Sequence, residues 1–261
     1  MGWLKERRRA RLMRRDLPEE WRMIVSRNVP YLSLLSAEDR RELEGKILVF
    51  LAEKRFEGAG GLRITDAIRL TIAAQACVLL LHRKTDFYPA LYSIIAYPGP
   101  YLARHRERDE SGLVIEGLQG RSGESWREGA VVLSWADVRR DAAEVGSGRN
   151  VVFHEFAHQL DAETGRTDGA PILPDPTMYA TWARVFHEAY ERLQREIGLG
   201  GEAPLRPYGA LNPAEFFAVA TETFFEQPLK LRREMPDLYE QLRAYYKQDP
   251  AAFAPRIPKG G

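Results

Sequence analysis

Residues 151–161 read Val-Val-Phe-His-Glu-Phe-Ala-His-Gln-Leu-Asp. Apolar side chains at 151, 152, 153, 156, 157 and 160 follow the period of a buried helix, expected over residues 149–162, and not the alternation of a strand. Positions four apart lie one turn above each other on a helical face, so the imidazoles of His154 and His158 can both reach one metal ion. Glu155, about 100° further round, flanks the place where a bound water would sit. Two of the five histidines of the chain fall on this single turn. A pair of histidines hydrogen-bonded in the core is the competing reading, and a third ligand would count against it.

A zinc ion at a catalytic centre takes three protein ligands and keeps one position open. A second helix with a clear start is expected over residues 213–226. Asn212 is its N-cap, and Pro213 takes the first helical position, where a missing N–H costs nothing. Glu215 and Glu222 share one face of it, nearly two turns apart. Phe216 and Phe217 anchor its first turn in the core, and a carboxylate on such an apolar element needs a partner. Glu215 also reads as a first-turn acid favoured by the helix dipole, and Glu222 either as a structural acid or as a support for a ligand.

Outward from these helices, 44% of the 261 residues are hydrophobic, and 38 Lys+Arg stand against 37 Asp+Glu. Intrinsic disorder is excluded for most of the chain, which is long enough to fold without a metal as a staple. The single cysteine, Cys77, lies in an apolar stretch and reads as a buried thiol in a reducing compartment, so a cytoplasmic location is expected. No apolar run reaches the roughly 20 residues of a bilayer span, so membrane insertion is not expected. Residues 1–15 carry seven basic residues and one acidic one. This basic arm reads first as a solvated, frayed helix and second as a surface for an anionic partner.

Residues 16–246 read as one domain, and 247–261, with Pro250, Pro255 and Pro258, as a loose tail. Pro18 suits a first helical turn, and Ser36 with Asp39 three residues on is a capping-box-like start. The helix from Ala37 is expected to stop near Gly58, Gly60 and Gly61, and Thr65 to cap another that turns Ile68, Ile72, Cys77 and Leu79 inward. Residues 91–97, 113–118 and 130–135 read as strands, with 129–135 as the upper edge of their sheet. Helices are expected again at 135–145, 177–197 and 229–246. His82, His105 and His187 have no partner at ligand spacing, and Trp126 and Trp135 read as packing residues. The order predicts an α+β fold with a small mixed sheet, a helix carrying the two histidines and a C-terminal helical part.

Three blocks resemble a known family: GESWREGAVVLSWADV at 123–138, HEFAHQLD at 154–161 and YGALNPAEFFAV at 208–219. Together they are similar to the Mlc titration factor family of glucose-regulated zinc peptidases, along residues 20–246. The resemblance implies a zincin-like fold of the gluzincin type, one zinc ion on His154, His158 and Glu215, and Glu155 as general base. The spacing of Tyr208 and Glu215 also resembles the catalytic domain of anthrax lethal factor, and by that likeness Tyr208 faces the zinc site as an electrophilic helper. Many gluzincins carry an acid four residues after the ligand glutamate. Val219 stands there in this chain, so orienting the histidines would fall to Asp161 or Glu222.

The resemblance further implies aminopeptidase-like activity on a peptide or protein substrate and binding to a sugar-responsive transcriptional repressor. A regulatory binding module in which zinc matters little is the alternative, although it has no need of Glu155, Tyr208 and a full ligand set together. Direct nucleic-acid binding is not expected, because no recognition helix or zinc-finger spacing accompanies the basic arm.

Overall fold

In the computed structural model, residues 2–99, 101–108, 114–121, 123–126 and 129–253 are described, with side chains for 2–99 and 129–253. Helices α1 (Gly2–Met13), α2 (Glu19–Asn28) and α3 (Ala37–Glu53) come first. Pro18 stands one position before α2, as its N-cap, and not inside the first turn. Ser36 caps α3 by accepting from the Asp39 N–H at 3.0 Å. The basic arm differs from a frayed helix in being docked on α3. Arg9 meets both carboxylate oxygens of Glu53 at 2.7 Å, Lys5 lies 2.9 Å from Asp86, and Leu12 and Met13 pack against the core. Gly45 makes the crossing possible, since a Cβ there would stand 2.8 Å from the Met13 carbonyl.

Helix α3 ends at Glu53, short of the glycines. Lys54 turns into extended backbone, and its buried ammonium donates to the Tyr88 and Leu91 carbonyls at 2.7 Å each. The following residues form β1 (Arg55–Gly58), too short and too polar to read as a strand by itself. Thr65 caps α4 (Asp66–Val78), which is buried from Leu70 to its end. The remaining strands are β2 (Ser93–Tyr97), β3 (Tyr101–Arg108), β4 (Val114–Arg121), β5 (Gly123–Trp126) and β6 (Ala130–Ser134).

The main sheet has the order β1-β2-β6-β5, with β3 and β4 forming a separate antiparallel pair. β1, β2 and β6 run parallel, and β5 is antiparallel to β6. The sheet is therefore small and mixed, as the sequence implied, but β6 is an inner strand and β5 is the edge. Val131, Val132 and Leu133 are all buried, and three consecutive apolar residues mark a strand covered on both faces.

Helix α5 (Trp135–Ala143), capped by Ser134, leads to α6 (Val151–Asp161). Then follow α7 (Met178–Gly198), α8 (Pro213–Glu226), α9 (Pro228–Glu234), α10 (Pro236–Tyr246) and the short α11 (Pro250–Phe253). The helix expected over 229–246 is two helices, because Pro236 starts α10 and cannot continue α9. Part of the expected tail is docked: Gln248 donates to the Val78 carbonyl at 2.9 Å, and Pro250 and Ala251 are buried. Trp135 packs against the core, whereas the side chains of His105 and Trp126 lie outside the described residues. The aromatic core ties α6 to its neighbours, with Phe156 4.9 Å from Tyr88 and Phe153 5.2 Å from Phe225, ring centre to ring centre.

Candidate metal centre

The start of α6 is fixed by polar groups that no apolar pattern reveals. Asn150 Oδ1 accepts from the Val152 and Phe153 N–H groups at 3.1 and 3.0 Å, and Asp141 Oδ2 accepts from Val151 N–H at 3.0 Å. Both satisfy donors that a helix start leaves unpaired, and the Asp141 charge suits the positive end of the helix dipole. One turn further on, His154 and His158 project together, their ring planes 83° apart. Helix α8 packs along α6. Asn212, its N-cap, accepts from Glu215 N–H at 2.9 Å, which sets the turn that aims Glu215 at the two imidazoles.

Glu215 Oε2 lies 3.0 Å from His154 Nε2 and 3.4 Å from His158 Nε2, and the two nitrogens are 3.2 Å apart. Ligand atoms about 2.0–2.1 Å from one tetrahedral ion stand roughly 3.3 Å from each other, so the triangle has the right size. Glu215 Oε2 is buried and faces the two imidazole nitrogens without a well-formed hydrogen bond to either. Among the described residues this is the one group of three imidazoles and acids that could hold a metal ion. The donor set suits zinc, which takes imidazole nitrogen and carboxylate oxygen alike.

The electrostatics agree with a site built around a cation. Burial works to lower the His154 pKa, but Glu222, Glu215 and Glu155 outweigh it and lift the group to about 10. Burial works to raise Glu215, and the two imidazoles outweigh it and hold the carboxyl well below the usual carboxylate range. Three carboxylates surround two imidazoles, and the site attracts positive charge.

Glu222 supports His154 from the other side of the ring, with Oε1 2.8 Å from Nδ1, so it is not a member of the ligand triangle. A carboxylate on the second nitrogen fixes the orientation in which Nε2 faces a metal. Asp161 is placed differently: its Oδ2 accepts from the Gly169 N–H at 2.9 Å and its Oδ1 has no hydrogen-bond partner. It serves the loop after α6. Gly169, at φ +78°, lies so close to α8 that a Cβ would stand 2.5 Å from the Pro213 carbonyl. Glu155 is buried beside His154. Tyr208 sits on a 3-10 turn (Pro207–Ala210), half exposed, with its ring 5.8 Å from that of His154. His82 and His187 stand away from the centre, paired with Asp39 and Glu42 and with Glu191.

Sequence reasoning missed Asn150, Asp141, Glu226 and Arg206. Asn150 had a readable signal, a capping residue directly before an apolar run. Arg206 had none, and its guanidinium bonds Glu222 Oε1. Glu226 is lifted to about 7, mainly by burial, and accepts from Gly146 N–H and Asn150 Nδ2.

The family model described as glucose-regulated metallo-peptidase M90 matches residues 3–247. The chain belongs to that family. An uncharacterised protein of Synechocystis is 40% identical over 249 residues, covering 95% of this chain and 90% of that one. Mlc titration factor A of Pectobacterium atrosepticum is 36% identical over 237 residues, covering 90% and 88%. Its namesake in Klebsiella pneumoniae is 35% identical over 227 residues, covering 86% and 84%. Membership in this metallopeptidase family implies a metal, and the His154, His158 and Glu215 group offers a place for it. No helix among the described residues is long and apolar enough to cross a membrane.

Proposed function

We propose that this chain is a zinc peptidase whose metal is held by His154, His158 and Glu215. The convergence of three ligand atoms within 3.0–3.4 Å of one another carries the reading. A zinc ion there supplies Lewis-acid activation of water and of the scissile carbonyl. Glu155 takes the proton from the attacking water as the new C–O bond forms, and returns it to the amine as the C–N bond breaks. Tyr208 donates its phenolic O–H to the oxyanion that develops on the carbonyl. Glu222 holds His154 in the orientation that presents Nε2. The edge strand β5 offers its outer side to an extended peptide, which would give binding without deep side-chain selectivity.

Aminopeptidase preference and a cytoplasmic location belong to the same proposal. Repressor binding is the second reading, supported by relatives whose name makes them titration factors of Mlc. A catalytic cleft cannot bury the roughly 800 Å² per partner of a standard interface, so such a partner would use surface outside it.

Elemental analysis and a peptidase assay on the same preparations test the proposal. One zinc per chain is expected, with loss in His154→Ala and Glu215→Ala. Glu155→Gln is expected to keep the metal and lose hydrolysis by at least about 10²-fold, the low end for general-base catalysis. Near-normal turnover in that variant, or full metal retention in Glu215→Ala, rejects the assignment.

A further inference from the structure

We propose that Arg206 is a positioning residue of this centre, acting on His154 through Glu222 and on Tyr208 through the backbone; the proposal rests on the ligand reading above. Glu222 is 2% exposed and has three donors around it. These are the Asn150 N–H at 2.6 Å, His154 Nδ1 at 2.8 Å and the Arg206 guanidinium, the last two sharing Oε1. A buried carboxylate is tolerated when a charge and hydrogen bonds compensate it. Arg206 brings a guanidinium, the cation whose fork of donors matches a carboxylate. With a dication at the ligand triangle, the charges of Glu155, Glu215 and Glu222 come into balance only when Arg206 is included.

The second action is geometric. The Gly209 N–H donates to the Arg206 carbonyl at 3.0 Å, closing the 3-10 turn that carries Tyr208. The guanidinium anchored on α8 therefore fixes that turn from its first residue, and the turn sets the Tyr208 ring over His154. One side chain thus ties together the residue that supports a ligand and the residue proposed to meet the substrate. Nothing local in the sequence marks it.

The test is zinc affinity, measured by chelator competition on the unmutated protein, Arg206→Ala, Arg206→Lys, Glu222→Gln and the Arg206→Ala/Glu222→Gln double variant. Arg206→Ala is expected to weaken zinc binding about 10-fold or more, the usual effect of losing a group that supports a ligand. Arg206→Lys is expected to recover part of it, restoring the charge without the fork. In the Glu222→Gln background the further loss of Arg206 is expected to change affinity by no more than about twofold, because the two residues act as one unit. A merely structural arginine would lower the melting temperature of the metal-free protein while leaving zinc affinity and this non-additivity unmoved. Affinity in Arg206→Ala within about twofold of the unmutated protein, or fully additive effects in the double variant, overturns the proposal. If Arg206→Ala does not fold, Arg206→Lys, Glu222→Gln and their combination give the same reading. Absence of zinc binding by the unmutated chain overturns this proposal and the ligand reading together, whereas normal binding with no Arg206 effect overturns this one alone.

Discussion

Tyr208 stands at the rim of the centre. Its ring lies 5.8 Å from that of His154 yet is 49% exposed, so its hydroxyl acts in a more water-like setting than the buried Glu155. Tyr208→Phe is expected to leave zinc content unchanged and to lower turnover by at most about 10²-fold, the low end for an oxyanion donor. That is a smaller loss than for Glu155→Gln. Steady-state kinetics on one small peptide checks it, and a larger loss than in Glu155→Gln would give Tyr208 the greater share of the chemistry. Glu215 and Glu222 make the complementary point. They sit on one helix face with the same side chain, and two turns of separation give them opposite sides of the same imidazole.

At the scale of elements, the apolar stripe buries α6 and the N-cap Asn150 fixes where it starts. Asn150 caps two N–H groups and donates through Nδ2 to Gln75 Oε1 at 2.9 Å and Glu226 Oε1 at 3.3 Å. Asn150→Ala is expected to cost about 2–3 kcal/mol. Roughly 1 of this is the cap, and the rest is buried acceptors left without a donor. Ser36→Ala, which removes an exposed cap from α3, is expected to cost only about 1 kcal/mol. Chemical denaturation of both variants measures the difference, and equal costs would show that the buried network adds nothing. The start of α6 was legible as a capping residue before an apolar run. Its partners Asp141, Glu226 and Gln75 were not, because they come from α5, α8 and α4.

For the molecule as a whole, the basic arm is part of the fold. Its helix α1 is docked by ion pairs of Lys5 and Arg9 with Glu53 and Asp86, and Arg9 also lies 4.8 Å over the Phe87 ring. Arg7, Arg8, Arg11, Arg14 and Arg15 remain exposed. Arg9→Glu sets a negative charge against two acids and is expected to release α1, making residues 2–15 faster to exchange amide hydrogens and to be cut by trypsin. Zinc content should not change, since α1 contributes no residue to the metal centre. Unchanged exchange over residues 2–15 would show that helix packing at Gly45, and not charge, holds the arm.

The sequence by itself determined the two helices of the centre and their inward faces. A four-residue spacing, an N-cap and a proline at the first helical position are all local, within the reach of one helical turn. It also carried the family, through three blocks that lie in or beside those helices. The tertiary structure alone decided that Glu215 meets the imidazoles while Glu222 backs one of them. It also decided that Asp161 serves a loop, that β5 and not β6 is the sheet edge, and that Arg206 pairs with Glu222. Those outcomes depend on distances between residues far apart in the chain, which are fixed only when α6, α8 and the sheet pack around a shared core. Periodicity says which way a side chain faces along its own element, but not what stands opposite it.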